Sequence, residues 1–257
     1  MNGVMVDSVK GGRFCTFEEA ASVPVPPADH TYMPVANGDL IRLVQEVLTE
    51  EYNCKPEEMP LTIGLSQKDQ QMFGCFTVPA VSNERFKTRM MYAFRNSYNK
   101  TLTVAAASGG DCFACDNMLI AGEVVEMRKH TTNVWADLFP MLQRVARQAG
   151  GEFKVAMQHN EQLSEIEMSL EEMWAFVGVA RGHNVLKPQQ VNVVYRELEA
   201  PSVEEHAVNN AFGLYNACTQ GLKLGPAGQI INRHQTFHRY CEKKFNLTYD
   251  AVPEPVA

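Results

Sequence analysis

Cys112-Phe113-Ala114-Cys115 and His234-x-x-x-His238 are the residues whose types and spacing come nearest to metal chemistry. Zinc takes four nitrogen or sulfur ligands in a tetrahedron. A Cys-x-x-Cys supplies two thiolates, and two histidines one helical turn apart share a face, on which Cys241 follows. More than a hundred residues separate the two halves. The competing reading makes Cys112 and Cys115 strand residues on opposite faces and lets His234 and His238 line a helix. On that balance we assign no metal and no cofactor. The chain carries no Gly-x-x-x-x-Gly-Lys-Ser/Thr, Gly-x-Gly-x-x-Gly, His-Glu-x-x-His or Gly-x-Ser-x-Gly pattern. Its carboxylates are many, but no pair is marked out for acid–base work. The expectation is a binding protein, not an enzyme.

Cations interleaved with rings offer a different chemistry. Tyr92, Phe94 and Tyr98 lie among Arg85, Lys87, Arg89, Arg95 and Lys100. Phe237, Tyr240 and Phe245 lie among Arg233, Arg239, Lys243 and Lys244. Single-stranded nucleic acid is held in this way, by cations on phosphates and rings on bases. Phe94 and Phe237 are expected in the core, whereas Tyr98, in a turn, is the leading stacking candidate. Arg128-Lys129-His130-Thr131-Thr132 precedes a helix, where backbone amides and two cations suit a phosphate oxygen. Ordinary solvated faces are the alternative for each cluster.

The elements that must position these groups follow from periodicity. Residues 20–34 hold Pro24, Pro26, Pro27 and Pro34 and read as an extended arm. Asn37 or Asp39 can cap a helix to about Tyr52 with Leu40, Val44, Val47 and Leu48 inside. Leu61–Leu65 and Met72–Val78 read as strands around a turn at 66–69. In a strand over 85–95, odd positions carry Arg85, Lys87, Arg89 and Arg95, and even positions carry Phe86, Met90, Tyr92 and Phe94. One face is therefore expected basic and wet, the other apolar. A turn at 97–100 leads to a strand over 101–107, and Gly109-Gly110-Asp111 turns again, giving a meander of four or five strands. Helices are expected over 132–148, 161–180, 203–222 and 228–245. Pro140 starts or kinks the first, and Gly182 ends the second. Ser169 with Glu172 forms a capping box that marks a break in the second candidate, and Ser202 with Glu205 one that starts the third. Residues 186–198 suit either strand or helix.

The whole reads as an α+β fold: an antiparallel β-meander packed by C-terminal helices, with a Pro-rich N-terminal arm. We read 1–257 as a single domain, with an extended arm over 1–38 and a mostly sheet region with one helix over 39–125. A mostly helical region over 126–247 and a loose tail over 248–257 complete it. The 257 residues are 45% hydrophobic, enough for a core. No apolar run is long enough to cross a membrane, and the start of the chain lacks the pattern of a secretion signal. Seven cysteines, an odd count, suggest reduced thiols in a cytoplasm. The net charge of −7 conceals a pattern. Residues 85–147 carry 9 basic and 5 acidic side chains, and 223–257 carry 5 and 3. The flanking stretches 1–84 and 148–222 are acidic. The two basic islands could form one groove.

Arg95-Asn96-Ser97-Tyr98-Asn99-Lys100, Cys115-Asp116-Asn117 and Arg128-Lys129-His130-Thr131 resemble an ordered signature of the phage/plasmid-like proteins of unassigned function. Leu214-Tyr215-Asn216-Ala217-Cys218-Thr219 resembles that family's second block. The likeness covers roughly 85–220. Size, acidic balance and layout are also similar to the Drc family, single-stranded DNA-binding RNA polymerase cofactors of lytic podoviruses. That resemblance implies sequence-tolerant binding of single-stranded DNA and contact with a phage RNA polymerase, in the cytoplasm of an infected bacterium. A homo-oligomer is expected. A strand-annealing recombination protein and a purely protein-binding phage factor are the alternatives.

Overall fold

A computed structural model describes residues 12–112, 117–119, 125–202, 207–224 and 229–249. The sheet contains β1 (Arg13–Cys15), β2 (Leu61–Ser66), β3 (Gln71–Asn83), β4 (Thr88–Ser97), β5 (Val104–Cys112), β6 (Asn117–Leu119) and β7 (Val125–Arg128). Its order is β1-β2-β3-β4-β5-β6, every pair is antiparallel, and β7 also pairs with β5. β6 and β7 lie end to end along one edge of β5 and together return what a single long strand would. The helices are α1 (Phe17–Ser22), α2 (Asn37–Tyr52), α3 (Val134–Glu165), α4 (Leu170–Gly182), α5 (Pro188–Glu199), α6 (Ala211–Leu222) and α7 (Ile230–Phe245). The expected α+β class, with helices following a meander, is what the chain forms. Among the described residues, no helix is long and apolar enough to cross a membrane.

Alternation set the inner face correctly. Met72, Phe76, Val78, Met90, Tyr92, Phe94, Val104 and Ala106 join one core with α2 and α3. Tyr92 donates its hydroxyl to the Leu142 carbonyl of α3 at 2.9 Å, so even this buried polar atom is satisfied. Alternation failed on the other face. Met91, Ala93 and Arg95 are buried too, and Arg95 meets Asn232 at the start of α7. The strand starts at Thr88, which leaves Arg85 and Lys87 in the β3–β4 turn rather than on a strand face. Gly109-Gly110-Asp111 does not turn but continues β5. Gly110 serves close packing, since a Cβ there would meet Thr88 Cγ2 at 2.7 Å. Residues 113–116, with Cys115, lie outside the described residues.

The helical half departs from expectation mainly in its boundaries. α3 runs 32 residues, through Pro140, past residue 148, where the sequence reading ended it, and through Gly150-Gly151. Leu138, Leu142, Val145, Ala149, Phe153, Ala156, Asn160 and Leu163 form one buried stripe at helical spacing along its length. Burial of that stripe outweighs one missing backbone donor and two glycines. Ser169 and Glu172 do form a capping box, and it starts α4 as a separate helix that ends at Gly182. Residues 188–199 are helical, with Pro188 in the first turn where its missing N–H costs nothing. α6 starts at Ala211, capped by Asn210, not at Ser202. The Pro-rich arm contains β1 and the short α1, closed by a Thr16–Glu19 capping box. α2 has no side-chain cap; Asn37, expected as one, instead sits inside the fold and donates to the Ala20 carbonyl. In the tail, Thr248 is held by its amide on Gln162 Oε1 at 2.9 Å. Residues 250–257 lie outside the described residues.

Candidate nucleic-acid interface

Two residues expected to touch a ligand are structural. Arg95, 3% exposed, donates to Asn232 Oδ1 at 3.1 Å, the Thr103 carbonyl at 3.3 Å and Thr103 Oγ1 at 3.4 Å. Burial pulls its guanidinium below its ordinary pKa. Tyr98 lies where β4 ends, yet its ring turns inward and is 4% exposed. Its hydroxyl accepts the Asn37 amide of α2 at 2.8 Å, and its carbonyl accepts the Tyr32 hydroxyl at 3.4 Å. The first turn of a helix has amides without intrahelical partners, and Tyr98 satisfies one of them. A base cannot stack on this ring.

Asn96, between them, ties three segments. Its amide nitrogen donates to the Val35 carbonyl at 2.6 Å and to Asn37 Oδ1 at 2.8 Å. Its oxygen therefore faces His130 Nε2, at 2.8 Å, and the histidine carries the proton there. Burial holds His130 below its ordinary pKa, and the neutral ring with its proton on Nε2 makes this bond. The arm, the end of β4 and the loop before α3 thus meet at one fully buried amide.

The remaining cations of the first island are at the surface but mostly engaged. Arg85 lies 3.5 Å from Glu161 and over the Phe86 ring. Lys87 adopts a left-handed backbone in its turn, and Arg89 is half-buried on β4. Lys100 binds Asp29 at 2.8 Å and lies 4.3 Å over the Tyr32 ring; this ion pair lowers the Asp29 carboxyl to about 2. Arg128 lies 3.8 Å from Asp137. Lys129 is exposed and has no carboxylate partner among the described residues.

Lys129 leads into the start of α3. Thr131, Thr132 and Asn133 are exposed there, and Asn133 makes no side-chain cap. Trp135, in the first helical turn, is 40% exposed, and Met127 on the adjoining strand is similarly open. Trp135 was missed in the sequence. The signal was present, since it falls off the Val134–Leu138–Met141–Leu142–Val145 stripe that faces the core.

The second island begins on the far side of Arg95, which contacts Met127 Sδ at 3.8 Å and Asn232 at the start of α7. Asn232, Thr236 and Arg233 line a cleft of about 290 Å³ with Leu102, Asn184 and Lys187. Arg233 spans it, donating to the Leu224 carbonyl at 2.9 Å and Gln229 Oε1 at 3.0 Å. From the cleft, exposed residues continue along one face of α7: Asn232, Thr236, Arg239 and Lys243, spaced by three or four. Lys244 is exposed beside them, 5.8 Å over the Tyr240 ring. Tyr240 is half-buried against Phe176, with its hydroxyl inside the protein, so it is not an open stacking platform. Phe237 is core, as expected.

The inner side of α7 carries histidines. His238 Nε2 lies 3.1 Å from His159 Nδ1 of α3, and the Tyr215 hydroxyl of α6 meets His238 Nδ1 at 2.9 Å. Glu242 Oε1 is 3.6 Å from His238 Nε2. His234, one turn earlier, is fully enclosed and has no hydrogen-bond partner on either ring nitrogen among the described residues. Burial holds both His234 and His238 down to about 3. Cys241 is buried, and burial raises its thiol pKa, so it offers no thiolate. Comparison of the chain with family models, curated proteins and solved structures finds no match.

Proposed function

We propose that the chain binds single-stranded DNA with little sequence preference. The reading is carried by one observation: an exposed indole, Trp135, stands in the first turn of a 32-residue helix without a side-chain cap, six residues after the exposed Lys129. The track continues past Met127 and Arg95 into the cleft of Lys187 and Arg233, then along Arg239 and Lys243. Cations along it neutralise phosphates, and the Trp135 ring stacks a base. Arg128, Lys129, Arg233, Arg239, Lys243 and Lys244 remain in this site; Arg95, Tyr98 and Tyr240 support it from inside. Arg85, Lys87, Arg89 and Lys100 lie on its margin. The acidic stretches on either side keep duplex affinity low. Single strands are favoured because their bases are free to stack.

The likeness of size, acidic balance and layout to the Drc family supports extending this activity to phage transcription, with a phage RNA polymerase as partner. The test is a mobility shift with single- and double-stranded oligonucleotides over a salt series. Preferential retardation of the single strand is expected, with log affinity falling by about 0.7 per phosphate contacted per decade of salt. Absence of any shift at low salt refutes the reading and favours a protein-binding role. For that role the half-open groove of Trp174, Tyr195 and Glu199 between α4 and α5 is the specific surface. Rings visible by electron microscopy, with faster pairing of complementary strands, would instead mark an annealing protein.

A further inference from the structure

The histidine cluster under α7 has a composition and geometry that the DNA-binding track does not use. Among the described residues, His159, His238 and Glu242 are the one group of three whose ligand atoms converge, all within 4.8 Å of one another. The separations are 3.1 Å between the two imidazole nitrogens, 3.6 Å from His238 Nε2 to Glu242 Oε1 and 4.0 Å from His159 Nδ1 to the same oxygen. Ligands on a tetrahedral zinc, at bonds of 2.0–2.1 Å, stand ~3.3 Å apart. Side-chain shifts of a few tenths of an ångström close this triangle on an ion.

A shared proton is the other occupant to weigh. Two imidazole nitrogens at 3.1 Å cannot both direct lone pairs at each other, so a proton or a cation lies between them. An N–H···N bond needs only those two rings. The carboxylate oxygen of Glu242, one turn further along α7, stands 3.6 Å from His238 Nε2 and 4.0 Å from His159 Nδ1. A divalent cation uses all three groups and neutralises the carboxylate.

The surroundings also suit a metal. Tyr215 holds the outer nitrogen of His238, which fixes the ring and turns Nε2 toward the shared point, the role outer partners play for zinc-bound histidines. His159 is buried, and Glu242 is partly open, so an ion has a route in from solvent. Two imidazoles and one carboxylate are donors that zinc accepts readily, leaving a fourth position for water.

We propose that His159 Nδ1, His238 Nε2 and Glu242 Oε1 bind one zinc ion, which clasps α7 onto α3 and, through Tyr215, onto α6. The clasp differs from a Cys-x-x-Cys site with His234 and His238, since it takes only His238 from that set. It is independent of DNA binding, although it fastens the helix that carries Arg233, Arg239 and Lys243.

The full chain, stripped with a chelator and desalted, is titrated with zinc alone. Bound metal is measured by elemental analysis, and the melting temperature is recorded with and without zinc. Cobalt(II) substituted for zinc reports the coordination by its visible absorption. One zinc per chain, a zinc-dependent rise in melting temperature and a low-symmetry cobalt spectrum are expected. Glu242→Gln keeps the shape of a partly exposed side chain and should fold; it should weaken zinc binding at least tenfold and abolish most of the melting shift. His159→Gln, checked for folding by circular dichroism, should remove binding. A folded parent that binds no zinc and shows no melting shift overturns the proposal. So does equal zinc binding by the parent and Glu242→Gln.

Discussion

Replacing Asn96 by alanine tests whether the most recognisable stretch of this sequence is scaffold or binding surface. The side chain makes three hydrogen bonds of 2.6–2.8 Å, to the Val35 carbonyl, Asn37 Oδ1 and His130 Nε2. All four residues are buried, so water cannot easily replace the lost amide. Each orphaned group costs about 1–1.5 kcal/mol, toward the lower part of the range for unsatisfied buried atoms, which gives about 3–5 kcal/mol in total. A domain of this kind has roughly 5–15 kcal/mol to lose, so Asn96→Ala should fold at low temperature but melt early. Urea denaturation followed by circular dichroism measures it: the midpoint should fall while the slope m stays unchanged. Asn96→Asp should be worse at neutral pH, because it sets a carboxylate oxygen against the Val35 carbonyl and Asn37 Oδ1. Affinity of the folded variants for single-stranded DNA should stay within about twofold. A loss below about 1 kcal/mol would refute the knot. A large loss of DNA affinity in a fully folded variant would return Asn96 to the binding surface.

Trp135→Ala should weaken single-strand binding by about 1–3 kcal/mol at every salt concentration without altering the salt slope, read by fluorescence anisotropy, and parent-like binding would remove the ring from the site. Tyr98→Phe leaves the Asn37 amide unsatisfied and should cost about 1–1.5 kcal/mol of folding stability with DNA binding intact, measured by paired denaturation and binding curves. His234 titrates near 3 in the fold and near 6.5 when unfolded, so its stabilisation is complete above pH 6.5 and is lost as pH falls toward 3. His234→Leu should therefore flatten the stability–pH curve by about 1.4 kcal/mol per unit between pH 6 and 4, and it should not weaken the protein at pH 7.5, since it removes two unpartnered nitrogens. An unchanged slope in denaturation curves at those pH values would contradict this.

Local pattern was a good guide wherever one physical cause dominated. Met90, Tyr92 and Phe94 alternate onto the inner face because one sheet face must be apolar, and that constraint is local. The exposure of the opposite face was not local. Arg89 and Arg95 look alike in sequence, but Arg95 is buried by partners from residues 103, 127 and 232. Tertiary partners likewise decide Tyr98, whose ring would be open in an isolated hairpin but is closed over by Asn37 and Tyr32. Pro140 was read as a start or kink and the helix was ended at residue 148, whereas the buried stripe of α3 spans both places. The candidate stacking residue shows the reverse. Trp135 was identifiable from its position off that stripe, but no arginine or lysine stands between Lys129 and Arg144 to mark it.

The residues that carried the likeness to a phage family divide by burial. Asn96, Tyr98, His130, Tyr215, Cys218 and Thr219 are inside; Asn96 pairs with His130, Tyr98 with the Asn37 backbone, Tyr215 with His238, and Thr219 with the Asn216 carbonyl. Lys100, Arg128 and Lys129 are at the surface, at the ends of the same segments. A short motif of this kind describes a junction: the amide of Asn96 fixes where β4 ends relative to the start of α3, and the phenol of Tyr215 fixes the His238 ring of α7. The surface cations then appear at set places because the junction places their backbone. This explains how the exposed Lys129 and Trp135 come to flank the start of α3, where Asn133 makes no side-chain cap. A contact surface can change its side chains while the junction beneath holds its register. Substitutions at Lys129 or Trp135 should therefore alter binding with stability intact, and substitutions at Asn96 or Tyr98 should do the opposite.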